Sequence, residues 1–365
     1  MTAVDDLSVS VYTVPTEEAE SDGTFTWTAT TVVVVEVSGG SCRGLGFTYG
    51  SRACATVIDD VLRPVVMAGD ASDVPATWRA MVAAVRNIGR PGVASAAIAA
   101  VDVALWDLKA KLVGLPLVSL LGHAHDEVAV YGSGGFTSYT DDELADQLGG
   151  WVHGDGIRRV KMKIGTAWGS RAERDVERVS TARAAIGDGA ELFVDANGAY
   201  TAKQAVRLAP TFVDQGVTWF EEPVSSDDLA GLAAIRHMTA MDVAAGEYGS
   251  DLAYFQRMCG AGAVDVVQAD VSRCAGITEW LRVAALAAAH GLQISGHCAQ
   301  SLHAHPACAV PNIRHLEYFH DHARVDRILF DGVLDPIGGV LRPDLSRAGI
   351  GLELRRSDAD PYCIS

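Results

Sequence analysis

Leu192-Phe-Val-Asp-Ala-Asn197 and Thr218-Trp-Phe-Glu-Glu-Pro223 decide how this chain is read. Each is a short apolar run that breaks off at an acidic residue, and the stretch around 202–208 between them has helical spacing. Strand, helix and strand in that order is the unit from which parallel sheets are built. The unit repeats outward in both directions. Strand-like runs fall at 128–131, 160–164, 192–194, 218–220, 243–245, 264–268, 292–295 and 315–318, with helical stretches such as 232–235 and 281–288 between them. Eight strands alternating with helices predict an α/β protein with a parallel sheet, either doubly wound or closed as a (β/α)8 TIM barrel. No GxGxxG or GKS/GKT loop follows the first strand, which argues against the nucleotide-binding variants.

The strand ends are the second regularity. The runs carry or end in Lys161 and Lys163, Asp195, Glu221, Glu247, Asp270, His297 and Glu317, spaced 20 to 32 residues apart, about one βα unit each. A single acidic residue after a strand reads as a helix cap; seven strand ends in phase do not. Asp195, Glu221 and Glu247 come from adjacent strands, so their carboxylates converge and need a counter-ion. An all-oxygen donor set suits a hard divalent cation, Mg2+ first and Mn2+ as substitute. Three protein ligands leave room for a substrate carboxylate and its 2-hydroxyl. Glu222 is expected behind the ligands, in a hydrogen-bonding role. Lys161 and Lys163 lie at i and i+2 on one strand and share a face. Two interior ammoniums near a cation are expected to lower each other's pKa and favour a neutral, proton-accepting lysine. Asp270 and His297 end neighbouring strands, and a carboxylate on one ring nitrogen makes the other a defined base.

The flanks differ from this core. Before about residue 125, runs at 8–14, 25–37 and 43–49 read as a three-stranded meander, with Gly39-Gly40 at a turn. Ile98, Val101, Leu105, Leu108 and Leu112 follow at steps of three and four, one helical stripe ended by Gly114 and Pro116. After about residue 321 the chain reads as loop-rich, with Pro336, Gly338, Gly339, Pro343, Gly349 and Gly351. The expected division is therefore an α+β domain over 1–125, the barrel over 126–320, and a segment over 321–365 that packs back. With 29 basic and 46 acidic residues the net charge is −17, which excludes a nucleic-acid or anionic-membrane partner. An anionic substrate must then be held by local charge. Seven scattered cysteines without a CxxC pair, and an acidic Met1 to Ser10 without a leader pattern, predict a cytoplasmic protein with reduced thiols.

Together, Lys161-x-Lys163, Asp195-x-Asn197, Glu221-Glu-Pro223, Gly246-Glu247, Asp270 and Gly296-His297 resemble the enolase superfamily, mandelate racemase subgroup. The stretch 97–122, with Trp106-Asp-Leu-Lys-Ala-Lys111 and Leu115-Pro-Leu-x-x-Leu-Leu-Gly122, and the tail Gly349-Ile-Gly-Leu-Glu353 are similar to segments of that family. The muconate-cycloisomerase and dipeptide-epimerase relatives carry a lysine on strand six, where this chain has Asp270. The resemblance implies a modified (β/α)7β barrel under an α+β capping domain built from both termini. It implies Mg2+ on Asp195, Glu221 and Glu247, with Lys163 and the Asp270–His297 dyad as acid/base groups on opposite faces of the substrate. Lys161 is implied as a stabiliser of the enediolate, and Glu317 as a donor to the substrate carboxylate. Asn197 and Glu222 are expected to touch substrate. So are Phe47 and Tyr49, read as part of a capping loop at 46–51. A second capping loop, at 15–24, is acidic, which favours a monoacid sugar over a diacid. The activity expected is dehydration of an acid sugar to a 2-keto-3-deoxy acid. Its rivals are a racemase or epimerase of a 2-hydroxy acid and a non-catalytic sugar-acid-binding barrel. A homo-oligomer, dimer or octamer, is implied by the family.

Overall fold

The computed structural model describes residues 2–364. Eight parallel strands follow one another around a closed barrel: β4 (Val128–Gly134), β5 (Arg159–Lys163), β6 (Glu191–Asp195), β7 (Val217–Glu221), β8 (Asp242–Ala245), β9 (Val266–Ala269), β10 (Gln293–Gly296) and β11 (Ile313–Phe319), with β11 pairing back onto β4. This decides between the two arrangements left open by the sequence. A ninth, antiparallel strand, Val340–Leu341, pairs with the start of β4. Register places Lys163 opposite Asp195 and Asp195 opposite Glu221, so three of the ionisable side chains stand on one rung at the C-terminal ends of the strands. Beneath them Tyr131, Phe193 and Trp219 fill the barrel interior, with ring centroids 5.3 and 5.4 Å apart for Phe193–Trp219 and Tyr131–Phe193. This packed floor closes the barrel below the rung and leaves the chemistry at its open end.

The cap is an antiparallel meander of β1 (Asp6–Ser21), β2 (Thr26–Gly39) and β3 (Cys42–Tyr49) packed on the long helix Val93–Leu112. The valine run of β2 has a simple cause: Val33, Val35 and Val37 face the cap helices while Val32 and Val34 face the core shared with the barrel. Similarly, the long helix is more than one apolar stripe. Ile98, Val101, Leu105 and Leu108 pack in the cap, whereas Val103 and Ala110 join the barrel-side core, so the helix is buried on both sides. Two expectations are corrected. The segment 15–24 is not a free loop, since β1 runs on to Ser21 after a register shift between Pro15 and Glu20. The chain after 320 opens with a helix, His320–Leu329.

Helix and meander meet backbone to backbone. A Cβ on Gly44 would lie 2.1 Å from Ala104 O and 2.5 Å from Leu108 N, and one on Gly46 would lie 2.2 Å from Ala100 O. Gly44→Ala is therefore expected to destabilise the protein by about 1–3 kcal/mol or more, the cost of overpacking a close contact. A denaturant midpoint equal to that of the native protein would contradict this packing.

Asp102, on the same helix, is wholly buried and accepts from Thr278 N at 2.9 Å and Thr278 Oγ1 at 2.6 Å, tying the cap to the first turn of the barrel helix Ile277–Ala289. Burial pushes its carboxyl up to about 7 from an ordinary 3.8. The folded protein then holds the proton more tightly than the unfolded chain. The group contributes stability that is complete below the unfolded value and is lost as pH rises through the folded one. Asp102→Asn should accordingly gain stability relative to the native protein as pH is raised between these two values. Unfolding curves whose separation stays constant with pH would contradict the assignment.

Candidate active site

Three strand ends bring Asp195, Glu221 and Glu247 together: one oxygen of each lies within 4.8 Å of the others, and all three side chains are buried. A buried set of oxygen donors and no nitrogen or sulfur fits Mg2+. The next residues along the chain turn sharply. Asn197 and Glu222 have φ of +45° and +37°, a region that costs a non-glycine residue energy and recurs at functional sites. Both are at the rung, and Asn197 Oδ1 and Glu222 Oε1 are buried without a hydrogen-bond partner. Burial, together with the charges of Glu247 and Asp195, pushes the Glu222 carboxyl far above the carboxylate range. Trp219 Nε1 donates to Glu221 Oε2 at 2.9 Å and fixes that ligand from below.

Lys161 and Lys163 project into the barrel as their spacing predicts, and carboxylates from other strands surround both. Lys161 Nζ contacts Glu221 Oε1 and stands 2.7 Å from Glu317 Oε1 and 3.6 Å from Asp195 Oδ2. Lys163 Nζ donates to Asp195 Oδ2 at 2.5 Å. Burial alone would lower both ammoniums. The carboxylates of Glu221 and Glu317 around Lys161, and of Asp195 beside Lys163, outweigh it and hold both pKa values above the usual lysine value. The mutual repulsion of the two ammoniums is thus the smaller effect.

The dyad is assembled. His297 Nδ1 lies 2.8 Å from Asp270 Oδ2, which leaves Nε2 facing the carboxylates, 3.2 Å from Glu247 Oε2. Asp270 Oδ1 accepts from Ser272 N and Ser272 Oγ, both at 2.7 Å, so the carboxylate is anchored from behind. Burial opposes the charge on Asp270, yet the His297 hydrogen bond and the nearby Arg273 hold its pKa down at about 2. Glu317 Oε1 accepts from Ser133 Oγ at 2.6 Å and from Lys161, and Oε2 accepts from Cys298 N at 3.0 Å. Despite burial, Lys161 and His297 keep this carboxylate ionised. Glu317 is an acceptor on each of these protein bonds.

Phe47 is not brought to the site. It lies on β3 rather than on a loop, is fully buried, and stacks on Phe330 at 4.6 Å between centroids. Tyr49 stacks on His322, donates to Asp326, and lines a cavity of about 290 Å³ with Cys54, Tyr248 and Arg273. The acidic segment also turns inward: Glu20 is buried, accepts from Trp27 Nε1 at 2.9 Å, and is pushed up to about 8 by burial and Asp321.

Two functional-site residues were not singled out by sequence. Arg273 Nη1 reaches Glu247 Oε1 at 3.1 Å and its Nε lies 3.5 Å from Asp270 Oδ2. Its position three residues after Asp270 was the available signal. Cys298, directly after His297, is buried with Sγ 3.3 Å from His297 Nε2. Burial and the charge of Glu317 push its thiol up to about 12, too high for a nucleophile at neutral pH.

The comparisons with known proteins agree with this fold. Residues 9–122 match the model of the mandelate racemase/muconate lactonizing enzyme N-terminal domain, and residues 143–359 match that of the enolase C-terminal domain-like family. A 3,6-anhydro-alpha-L-galactonate cycloisomerase from Streptomyces coelicolor is 35% identical over 89% of each chain. An L-talarate/galactarate dehydratase from Salmonella typhimurium is 31% identical over 80% of this chain and 74% of its own. The solved structure of that dehydratase, liganded with Mg and L-lyxarohydroxamate, superposes with a TM-score of 0.90 over 98% of this chain and 92% of its own, at 28% identity. A mandelate racemase/muconate lactonizing enzyme-like protein from Rubrobacter xylanophilus superposes with a TM-score of 0.96 over 99% of this chain and 100% of its own, at 52% identity. The chain belongs to the mandelate racemase/muconate lactonizing enzyme family of the enolase superfamily.

Proposed function

We propose that the protein dehydrates an acid sugar to a 2-keto-3-deoxy acid, beginning with removal of the proton α to the carboxylate. The observation that carries this reading is the flanking of one carboxylate cluster by two proton carriers, Lys163 and the His297–Asp270 pair. Asp195, Glu221 and Glu247 would hold Mg2+. Bound there, Mg2+ supplies positive charge that competes with the lysines for Asp195 and Glu221 and polarises the substrate carboxylate. One of Lys163 and His297 takes the α-proton, according to the configuration at that carbon. Lys161 stabilises the negative charge that moves onto the carboxylate. His297 Nε2 then gives a proton to the leaving 3-hydroxyl, so the C3–O bond breaks as water departs. The resulting enol tautomerises to the ketone. Asp270 holds His297 in the tautomer this needs. The naming of the Salmonella relative as a dehydratase, and its magnesium-liganded structure, support the reading. So do the dehydratases of arabinonate and L-rhamnonate among the relatives.

A panel of mono- and diacid sugars incubated with Mg2+ tests it by assay of 2-keto acid. At least one sugar is expected to be converted. Racemisation or epimerisation of a 2-hydroxy acid without any keto product would overturn the elimination step. A single species of monomer mass by light scattering would overturn the homo-oligomer that we also infer.

A further inference from the structure

His297, Cys298 and Glu317 make a triangle of three different donors. Cys298 Sγ is 3.3 Å from His297 Nε2 and 3.5 Å from Glu317 Oε2, and that nitrogen and oxygen are 3.7 Å apart. Zinc bonds of about 2.3 Å to sulfur and about 2.0–2.2 Å to nitrogen and oxygen, set tetrahedrally, give donor separations of roughly 3.4–3.6 Å. The triangle approximates one face of such a tetrahedron, each edge needing to shift by only a few tenths of an ångström or less. Its members are also held from behind in the way metal ligands are. Asp270 takes the other ring nitrogen of His297. Ser133 and Lys161 occupy Glu317 Oε1, so Oε2 is the oxygen turned to the triangle. Independently, Glu247 Oε2 is buried, has no hydrogen bond of good geometry, and lies 3.2 Å from His297 Nε2, adding negative charge beside the triangle.

We propose that His297, Cys298 and Glu317 form a second divalent-cation site, selective for a thiophilic ion such as Zn2+ and distinct from the all-oxygen cluster of Asp195, Glu221 and Glu247. A thiolate, an imidazole and a carboxylate favour zinc over magnesium, whereas three carboxylates favour the reverse. On binding, the Cys298 thiol and protonated His297 Nε2 each release a proton to solvent, and the freed sulfur and nitrogen bond the metal. The ion occupies His297 Nε2, so zinc switches the enzyme off. That consequence, unlike the binding, rests on the proton-carrying role proposed for His297.

Titration of the Mg2+-saturated protein with Zn2+ tests the site without reference to turnover, and Co2+ serves as the coloured probe. One Zn2+ per chain is expected to bind with Mg2+ retained, and Co2+ is expected to show a sulfur-to-cobalt charge-transfer band in the near ultraviolet. Cys298→Ser should abolish that band and weaken zinc by at least about 100-fold, the upper end of what losing a mere supporting partner costs. His297→Asn, which keeps the thiol, should weaken zinc similarly and covers the case in which Cys298→Ser does not fold. Zinc that displaces Mg2+ mole for mole, or that binds both variants as tightly as the native protein, overturns the proposal. A zinc-loaded native enzyme with full turnover would leave the site standing and overturn the role of His297 instead.

Discussion

Stripping divalent cations from the protein with a chelator is expected to abolish turnover, and Mg2+ is expected to restore it. Three buried carboxylates within 4.8 Å of one another repel, and the lysines beside them neutralise only part of that charge. A Lewis acid at such a cluster contributes several kcal/mol of transition-state stabilisation, or about 10³-fold in rate or more. The residues within the cluster should not behave alike. Glu221→Gln removes a converging oxygen and should weaken Mg2+ binding sharply. Glu222→Gln changes a residue whose carboxyl leans toward the neutral form, and should weaken it much less. Equal losses for the two would mean that ligand and neighbour have been ranked wrongly, and full turnover after exhaustive chelation would remove the metal from the account.

The second large effect concerns the two proton carriers. Replacing Lys163 by Ala, or His297 by Asn, is expected to lower kcat by about 10²–10⁴-fold, the usual contribution of a positioned general acid or base. Asp270→Asn leaves the imidazole in place but removes the acceptor on Nδ1 that sets its tautomer. It should act on kcat more than on KM, since the group holds a base and not the substrate. Retention of native kcat in both Lys163→Ala and His297→Asn would reduce the strand-end pattern to metal binding.

Much of this site was visible in the sequence because a barrel forces it to be. Strands supply one rung of side chains per βα unit, so the residues that meet in space recur at regular intervals, and Asp195, Glu221, Glu247, Asp270, His297 and Glu317 stand where that spacing puts them. Local pattern carries no information about what faces a side chain from elsewhere. The lysines were expected to lower each other's pKa because their neighbour on the strand and the cation were the charges the spacing made visible; Glu221, Glu317 and Asp195 come from other strands and pull the other way. Phe47 reads the same whether a loop exposes it or a core stacks it on Phe330, a residue far along the chain. Arg273 sits in a turn after β9 and acquires its role only when β8 and β9 lie side by side and bring it to Glu247 and Asp270.

Exchange of the substrate α-proton in D2O, followed by NMR in the two variants, tests the central claim that this proton is removed between two opposed carriers. If Lys163 is the base for a given sugar acid, His297→Asn still washes deuterium into the α-position while forming no 2-keto acid, and Lys163→Ala does neither. If His297 is the base, the exchange results reverse. Exchange at the native rate in both variants, or in neither while both still form product, would contradict removal of the proton by either group.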